Sequence, residues 1–396
     1  MGGMSAVVTP ELLDRVRDRL VHTTGEPTPA LVAAAIRIEA GGVLSDTDLL
    51  AALRVLQTEL TGAGPLETLL LDASVADVLV TAPDEVWVDR GAGLERADIR
   101  FADEAAVRRL AQRLALSAGR RLDDAQPWVD GQLPGVGDGT FGVRLHAVLS
   151  PVARGGTCLS LRVLRPTTQG LAALADRGAL EPSALALVKR IIEARLAFLV
   201  IGGTGAGKTT LLAAMLGEVA RSERIVCVED AAELAPSHPH VVRMVARAPN
   251  VEGVGEVTVR QLVRQALRMR PDRLVVGEVR GAEVVDLLTA LNTGHDGGAG
   301  TIHANSPAEV PARLEALAAL GGLDRAALHS QLAAAVQVVL HVHRSFDGRR
   351  RLREIAVVVP DDSGRVQMVS AWSVDGGVHR GRERLDALLE QRLTRL

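Results

Sequence analysis

Gly202-Gly203-Thr204-Gly205-Ala206-Gly207-Lys208-Thr209-Thr210 decides the fold. It fits G-x-x-x-x-G-K-[ST], a loop whose backbone N–H groups cradle phosphates. Lysine occurs only twice in the 396 residues, and Lys208 is one of the two. A chain that otherwise uses arginine keeps lysine where a compact ammonium must reach phosphate oxygens. Just upstream, Leu196–Ile201 is an apolar run short enough for a buried parallel strand. Downstream, Thr210-Leu211-Leu212-Ala213-Ala214 reads as a helix whose N-terminal dipole faces the anion. Thr209 offers a hydroxyl to Mg²⁺. Strand, loop and helix in this order predict a nucleotide site that takes ATP and Mg²⁺.

Around the loop, the pattern alternates. A Leu- and Ala-rich helix ends near Arg195. After the loop come a strand at Ile225–Val228, a helix at Val259–Met269 and a strand at Leu274–Gly277. Further helices follow, then strands near Val336–Val342 and Glu354–Val359 and a polar C-terminal helix. That is an α/β domain on a mostly parallel sheet, expected over 176–396. Pro166-Thr167-Thr168-Gln169-Gly170 opens an expected linker, 166–175. Before it, 61–165 reads as a small α/β domain. Its strands are expected at Val75–Thr81, Glu85–Asp89, Thr140–Leu149 and Cys158–Leu164, with a helix at Asp103–Leu116 and a Gly-rich loop at 131–139. Residues 1–60 read as helices at Pro10–His22, Ala30–Glu39 and Ser45–Thr61, with no visible chemistry.

Composition narrows the function classes. A net charge of −3 gives no electrostatic case for nucleic acid. Aromatic residues are 2% with no Tyr, which argues against stacking platforms for single strands. Cys158 and Cys227 form no Cys-x-x-Cys pair, which fits a reducing compartment and excludes a four-Cys zinc module. No apolar run approaches the ~20 residues that span a bilayer. The N-terminus lacks a basic-then-apolar signal pattern. The expected location is therefore cytoplasmic.

Hydrolysis also needs carboxylates for Mg²⁺ and water, and cations for the developing charge. Two expected strands end in acids: Ile225–Val228 runs into Glu229-Asp230, and Leu274–Gly277 into Glu278. Each would point out at the ligand edge of the sheet. His295 and His303 flank a Gly-rich turn, Asp296–Gly300, before a short strand. The residues alone leave both open between structural and functional roles. His341 and His343 read as two positions on one strand. Arg260, Arg264 and Arg268 repeat every four residues along a helix face, either a solvated surface or a subunit contact. Arg144, Arg154 and Arg162 close the small domain and could reach the phosphates from outside the loop's own domain.

Together these motifs resemble the secretion-ATPase superfamily of type II and type IV secretion systems and type IV pili. Arg268–Gly281 resembles its Walker B region, Val228–Leu234 its acidic box, and Asn292–Pro307 its His box. The wording is most similar to the tight-adherence (Flp-type) pilus assembly ATPases, the CpaF-like family. The similarity covers about residues 60–360. It implies a RecA-like ATPase domain behind a small PAS-like domain, and a homo-oligomeric ring, a hexamer. That ring would lie against the cytoplasmic membrane and drive an integral membrane platform protein. Carried over residue by residue, the resemblance implies that Lys208 and Thr209 bind phosphate and Mg²⁺, and that Glu229 orients the attacking water. Glu278 becomes the Walker B carboxylate and a Mg²⁺ ligand. His295 and His303 form the His box. Arg144, Arg154 and Arg162 stand where relatives carry arginines that contact nucleotide. A conjugation-type ATPase moving DNA–protein substrates is the alternative within the superfamily; a nucleic-acid motor is a more distant one.

Overall fold

The structure, a computed structural model, describes residues 62–394 except 92, 134–140, 166–168, 251, 346 and 378. Of the N-terminal part it describes 12, 15–16, 19, 29–41, 45, 47–50 and 52–53. The chain divides into two units, Met1–Leu164 and Arg165–Leu396.

In the first unit, β1 (Asp77–Ala82), β2 (Glu85–Asp89), β3 (Leu94–Arg96), β4 (Trp128–Leu133), β5 (Gly142–Val148) and β6 (Cys158–Leu164) form one sheet. Its order is β3-β2-β1-β6-β5-β4, and every pairing is antiparallel. Burial alternates along β2, the mark of a sheet covered on one face. The helix Glu104–Ser117 supplies the cover. Val107, Leu110, Ala111, Leu114 and Ala115 form one buried stripe at helical spacing and share a core with Val78, Val80, Val86 and Val88. Asp103 starts this helix by accepting the Ala106 N–H at 2.7 Å. Of the expected N-terminal helices, Pro29–Glu39 is present and packs in a small cluster with Leu12, Val16, Leu49 and Ala52. Those at Pro10–His22 and Ser45–Thr61 lie largely outside the described residues.

The second unit carries β7 (Phe198–Ile201), β8 (Ile225–Glu229), β9 (Val241–Val245), β10 (Arg273–Val279), β11 (Ala299–Ile302), β12 (Val338–Arg344), β13 (Arg350–Pro360) and β14 (Val366–Ser373). The order is β14-β13-β12-β7-β11-β10-β8-β9. From β12 to β9 the strands are parallel; β13 and β14 add an antiparallel edge. Every residue of β7, β8 and β11 is buried. Successive residues serve opposite faces: Phe198 and Val200 enter one core, Leu199 and Ile201 the other. That double burial is why these strands read as unbroken apolar runs. The fold is the expected α/β class. The expected linker overlaps a helix, Leu171–Asp176, whose Leu171 and Leu174 lie in the second unit's core.

At the N-terminal edge of the parallel strands, a buried ion pair locks the sheet. Arg273 is 1% exposed and donates from Nε to Glu223 Oε2 at 2.8 Å. Its Nη2 reaches Glu223 Oε1 and the Ile192 carbonyl, and Arg195 also reaches Glu223.

Candidate active site

The C-terminal ends of the parallel strands bring the expected residues together, as open α/β sheets do. The loop Gly202–Gly207 leaves β7, and the helix Lys208–Gly217 starts at its end. Gly203, Thr204 and Gly205 are exposed at its mouth, and Thr209 and Thr210 are half-buried in the first helical turn. Gly202 has φ +152°, and a Cβ there would stand 2.3 Å from the Val342 carbonyl oxygen of β12. No side chain fits between loop and strand at that point.

Lys208 is 7% exposed. Its Nζ donates to the carbonyls of Gly202 and Gly203, each at 3.1 Å. The same ammonium stands 3.3 Å from His303 Nε2, just past the end of β11. His303 Nε2 is in turn 2.5 Å from Glu278 Oε1, on β10. Three strands thus bring a cation, an imidazole and a carboxylate into one line. Burial, then Lys208, lowers the imidazole's proton affinity more than Glu278 raises it, so His303 sits there neutral at pH 7. Burial likewise lowers the Lys208 ammonium's affinity, with Glu278 opposing.

The two strand-end carboxylates have contrasting surroundings. Glu229 is 3% exposed. Its Oε1 accepts the backbone N–H groups of Glu233 (3.1 Å) and Leu234 (2.8 Å), while its buried Oε2 has no hydrogen-bond partner among the described residues. Burial outweighs those two bonds and pushes its pKa up to about 7. Glu278 is also penalised by burial, but Arg280, His303 and Lys208 more than compensate and hold it below the usual carboxylate range. Arg280 Nη2 donates to Glu278 Oε2 at 2.6 Å, and Nη1 to Asp230 Oδ2 at 2.9 Å. Arg280 thereby ties the acidic end of β10 to the residue after β8. A cleft of about 420 Å³ lined by Asp230, Thr258, Arg260, Glu278, Arg280 and Glu283 opens beside it. Sequence reasoning did not assign Arg280. Its position two residues beyond Glu278, on the same side of an extended chain, was the available signal.

Mg²⁺ fits these donors. Thr209 Oγ1 donates to Glu233 Oε2 at 3.4 Å, and Glu278 Oε1 is a buried carboxylate oxygen whose near neighbour is His303 Nε2. A hydroxyl and one carboxylate are a usual protein share for an ion that keeps waters and phosphate oxygens.

Most of the other expected residues have partners of their own. His295 precedes β11, at the opposite end of that strand from His303, and its Nδ1 bonds the Ala290 carbonyl at the end of a helix. It is not among the groups around Lys208. The cause is the four-residue strand β11, which separates the two histidines of the box. Arg144 and Arg162 belong to the first unit. They are cross-strand partners, each held by a carboxylate: Arg144 by Asp130 and Arg162 by Asp77, both at 2.8 Å. Arg154 is exposed in the turn between β5 and β6. Of the helix arginines, Arg260 and Arg264 both pair with Asp286 of the next helix, while Arg268 bonds the Arg264 carbonyl.

Comparison with known proteins places the chain in a family. A protein of Mycobacterium tuberculosis named for conjugal transfer is 74% identical over 350 residues, 88% of this chain and 99% of its own length. The TrbB protein of Sinorhizobium fredii, also named for conjugal transfer, is 30% identical over 306 residues, 76% of this chain and 88% of its own. The structure of the Legionella pneumophila ATPase DotB has a TM-score of 0.52 and 20% identity, covering 76% of this chain and 80% of that one, a likeness of fold. The family model for type II/IV secretion system proteins matches residues 59–390, and the chain belongs to that family.

Proposed function

We propose that this protein hydrolyses ATP with Mg²⁺ and passes the energy to a secretion, conjugation or pilus apparatus. The observation that carries the reading is the line Lys208–His303–Glu278 at the mouth of a phosphate-binding loop. The loop amides and Lys208 bind and orient the polyphosphate, a fixed donor set where charge develops. Thr209 and Glu278 would hold Mg²⁺, which would supply positive charge to the phosphate oxygens. Glu278 stays anionic because Arg280 and Lys208 hold it so. Glu229, with a proton affinity near neutrality, takes the proton of the attacking water, since a general base works best with its pKa near the working pH. Neutral His303 donates toward Glu278 and fixes the carboxylate's orientation. The experiment is a trap: Glu278→Gln and Glu229→Gln should still bind a fluorescent ATP analogue while turnover is lost. A folded variant that fails to bind would reassign that residue to ground-state binding.

The narrower reading is assembly of a tight-adherence pilus, supported by the wording of the Walker B and His boxes. The alternative is conjugation, favoured by the names of the 74% and 30% identical relatives. Adjacent genes for pilins and platform proteins, or for a relaxase, would separate the two. The reading includes a cytoplasmic homo-hexamer peripheral to the membrane, in which Arg144, Arg154 or Arg162 approaches nucleotide. No helix among the described residues is long and apolar enough to cross a membrane, so attachment would run through an integral partner. Light scattering with a non-hydrolysable ATP analogue tests the ring; a strict monomer with full activity would reject it.

A further inference from the structure

The phosphate-binding loop has a second neighbour that the reaction above does not use: the hairpin of β12 and β13. Its strands roof the loop at three places. The Val342 carbonyl stands over Gly202. Arg344 Nη1 comes within 3.9 Å of where a Cβ on Gly205 would be, and the Arg350 side chain, at Cδ, within 3.4 Å of one on Gly207. Arg344 and Arg350 are also direct cross-strand partners, so both side chains leave the same face of the hairpin.

Two like charges placed directly opposite each other on a sheet are destabilising. The neighbouring arginines show how the fold relieves such crowding elsewhere: Arg349 and Arg351 both have Asp347 within ion-pair distance. Arg350 has no carboxylate partner among the described residues and is exposed. Arg350 is thus left without a carboxylate among the described residues on the side that faces the anion-binding loop. Topology fixes the side as well. β12 flanks β7 on one side, and β11, β10 and β8, with His303, Glu278 and Glu229, lie on the other. The reacting phosphate belongs to the carboxylate side, which leaves the phosphates nearer the nucleoside for the hairpin.

We propose that Arg344 and Arg350 bind the polyphosphate of the nucleotide in cis, on the side of the loop away from Glu278. This deepens the nucleotide reading above and rests on it. In their absence an ADP-bound loop would keep Lys208 as its only cation from β7 and its helix. The pair makes the second unit able to hold nucleoside diphosphate through its own residues.

The test is equilibrium binding of a fluorescent ADP, and of inorganic tripolyphosphate in competition, to the full chain. Arg350→Gln and the double variant with Arg344→Gln should weaken both ligands, roughly tenfold for the single change and more for the double, as for charged hydrogen bonds lost at a site. Arg351→Gln removes the same charge one residue further, where it faces away, and should stay within about twofold. Equal loss in Arg351→Gln would mean a diffuse electrostatic effect and overturn the proposal. So would unchanged affinity in Arg350→Gln, or loss of ADP with tripolyphosphate unaffected, which would move the arginines to the ribose or base. If the double variant does not fold, the exposed Arg350→Gln alone decides. Should Lys208→Ala abolish binding while the hairpin variants keep it, only the hairpin assignment falls. If the unaltered protein binds neither ligand, the nucleotide reading falls with it.

Discussion

Glu229 and Glu278 end adjacent parallel strands, yet their surroundings drive their protons in opposite directions. Glu229 is buried with one oxygen unpartnered among the described residues, and burial pushes its pKa up to about 7. Glu278, gripped by Arg280 and facing His303, is held below the usual carboxylate range. Carboxylates pushed apart in this way mark separate acid–base roles.

Turnover should therefore rise with pH through about 7 as Glu229 loses its proton. Initial rates between pH 5.5 and 8.5 check this, and a flat profile would count against Glu229 as base. Stability should move the other way. A carboxyl whose folded pKa is raised contributes stability below its unfolded pKa, near 4.5, and loses it as pH rises through 7. Glu229→Gln should gain on the order of 1–3 kcal/mol over the unaltered chain at pH 8 and little at pH 4.5. Urea unfolding at the two pH values reads the difference.

Arg280 should matter to chemistry more than to folding, since half its side chain is exposed. Arg280→Gln frees Glu278 Oε2 and Asp230 and removes the charge that keeps Glu278 ionised. Turnover should fall roughly tenfold or more, while the limb near pH 7, which belongs to Glu229, stays in place. Normal turnover would mean that the contact is incidental.

The Arg273–Glu223 pair should govern stability instead. Glu223→Ala leaves a guanidinium that is 1% exposed without its carboxylate. Breaking a buried pair from one side costs about 3–5 kcal/mol. Denaturant unfolding should show that loss, and a change under ~1 kcal/mol would place the pair's weight elsewhere.

The doubly buried strands were legible because β7, β8 and β10 are unbroken apolar runs. Their acidic ends were legible because parallel strands present such ends at one edge. The strands that escaped reading are edge strands. β4 runs into the expected Gly-rich loop 131–139 as far as Leu133; Gly131 lets the strand approach the end of the helix Glu104–Ser117, where a Cβ would stand 2.9 Å from Ala118. β9 is one-sided and carries Arg243 mid-strand, and β14 is largely half-buried. At the site, Lys208, Glu229 and Glu278 were legible from the order of strand, loop and acid. His303 and His295 were not separable, because only the position of β11 decides which one reaches Lys208. Arg280 was signalled by its spacing from Glu278, whereas Arg344 and Arg350 are brought side by side by strand pairing, which sequence spacing does not display.

Phosphate release from ATP by the purified full-length chain, with and without Mg²⁺, tests the central claim most directly when set beside Lys208→Ala. The account predicts Mg²⁺-dependent release that falls by about 10²–10³ in the variant, the loss expected for a donor aimed at the transferring phosphate. Equal release by the two folded proteins would contradict it.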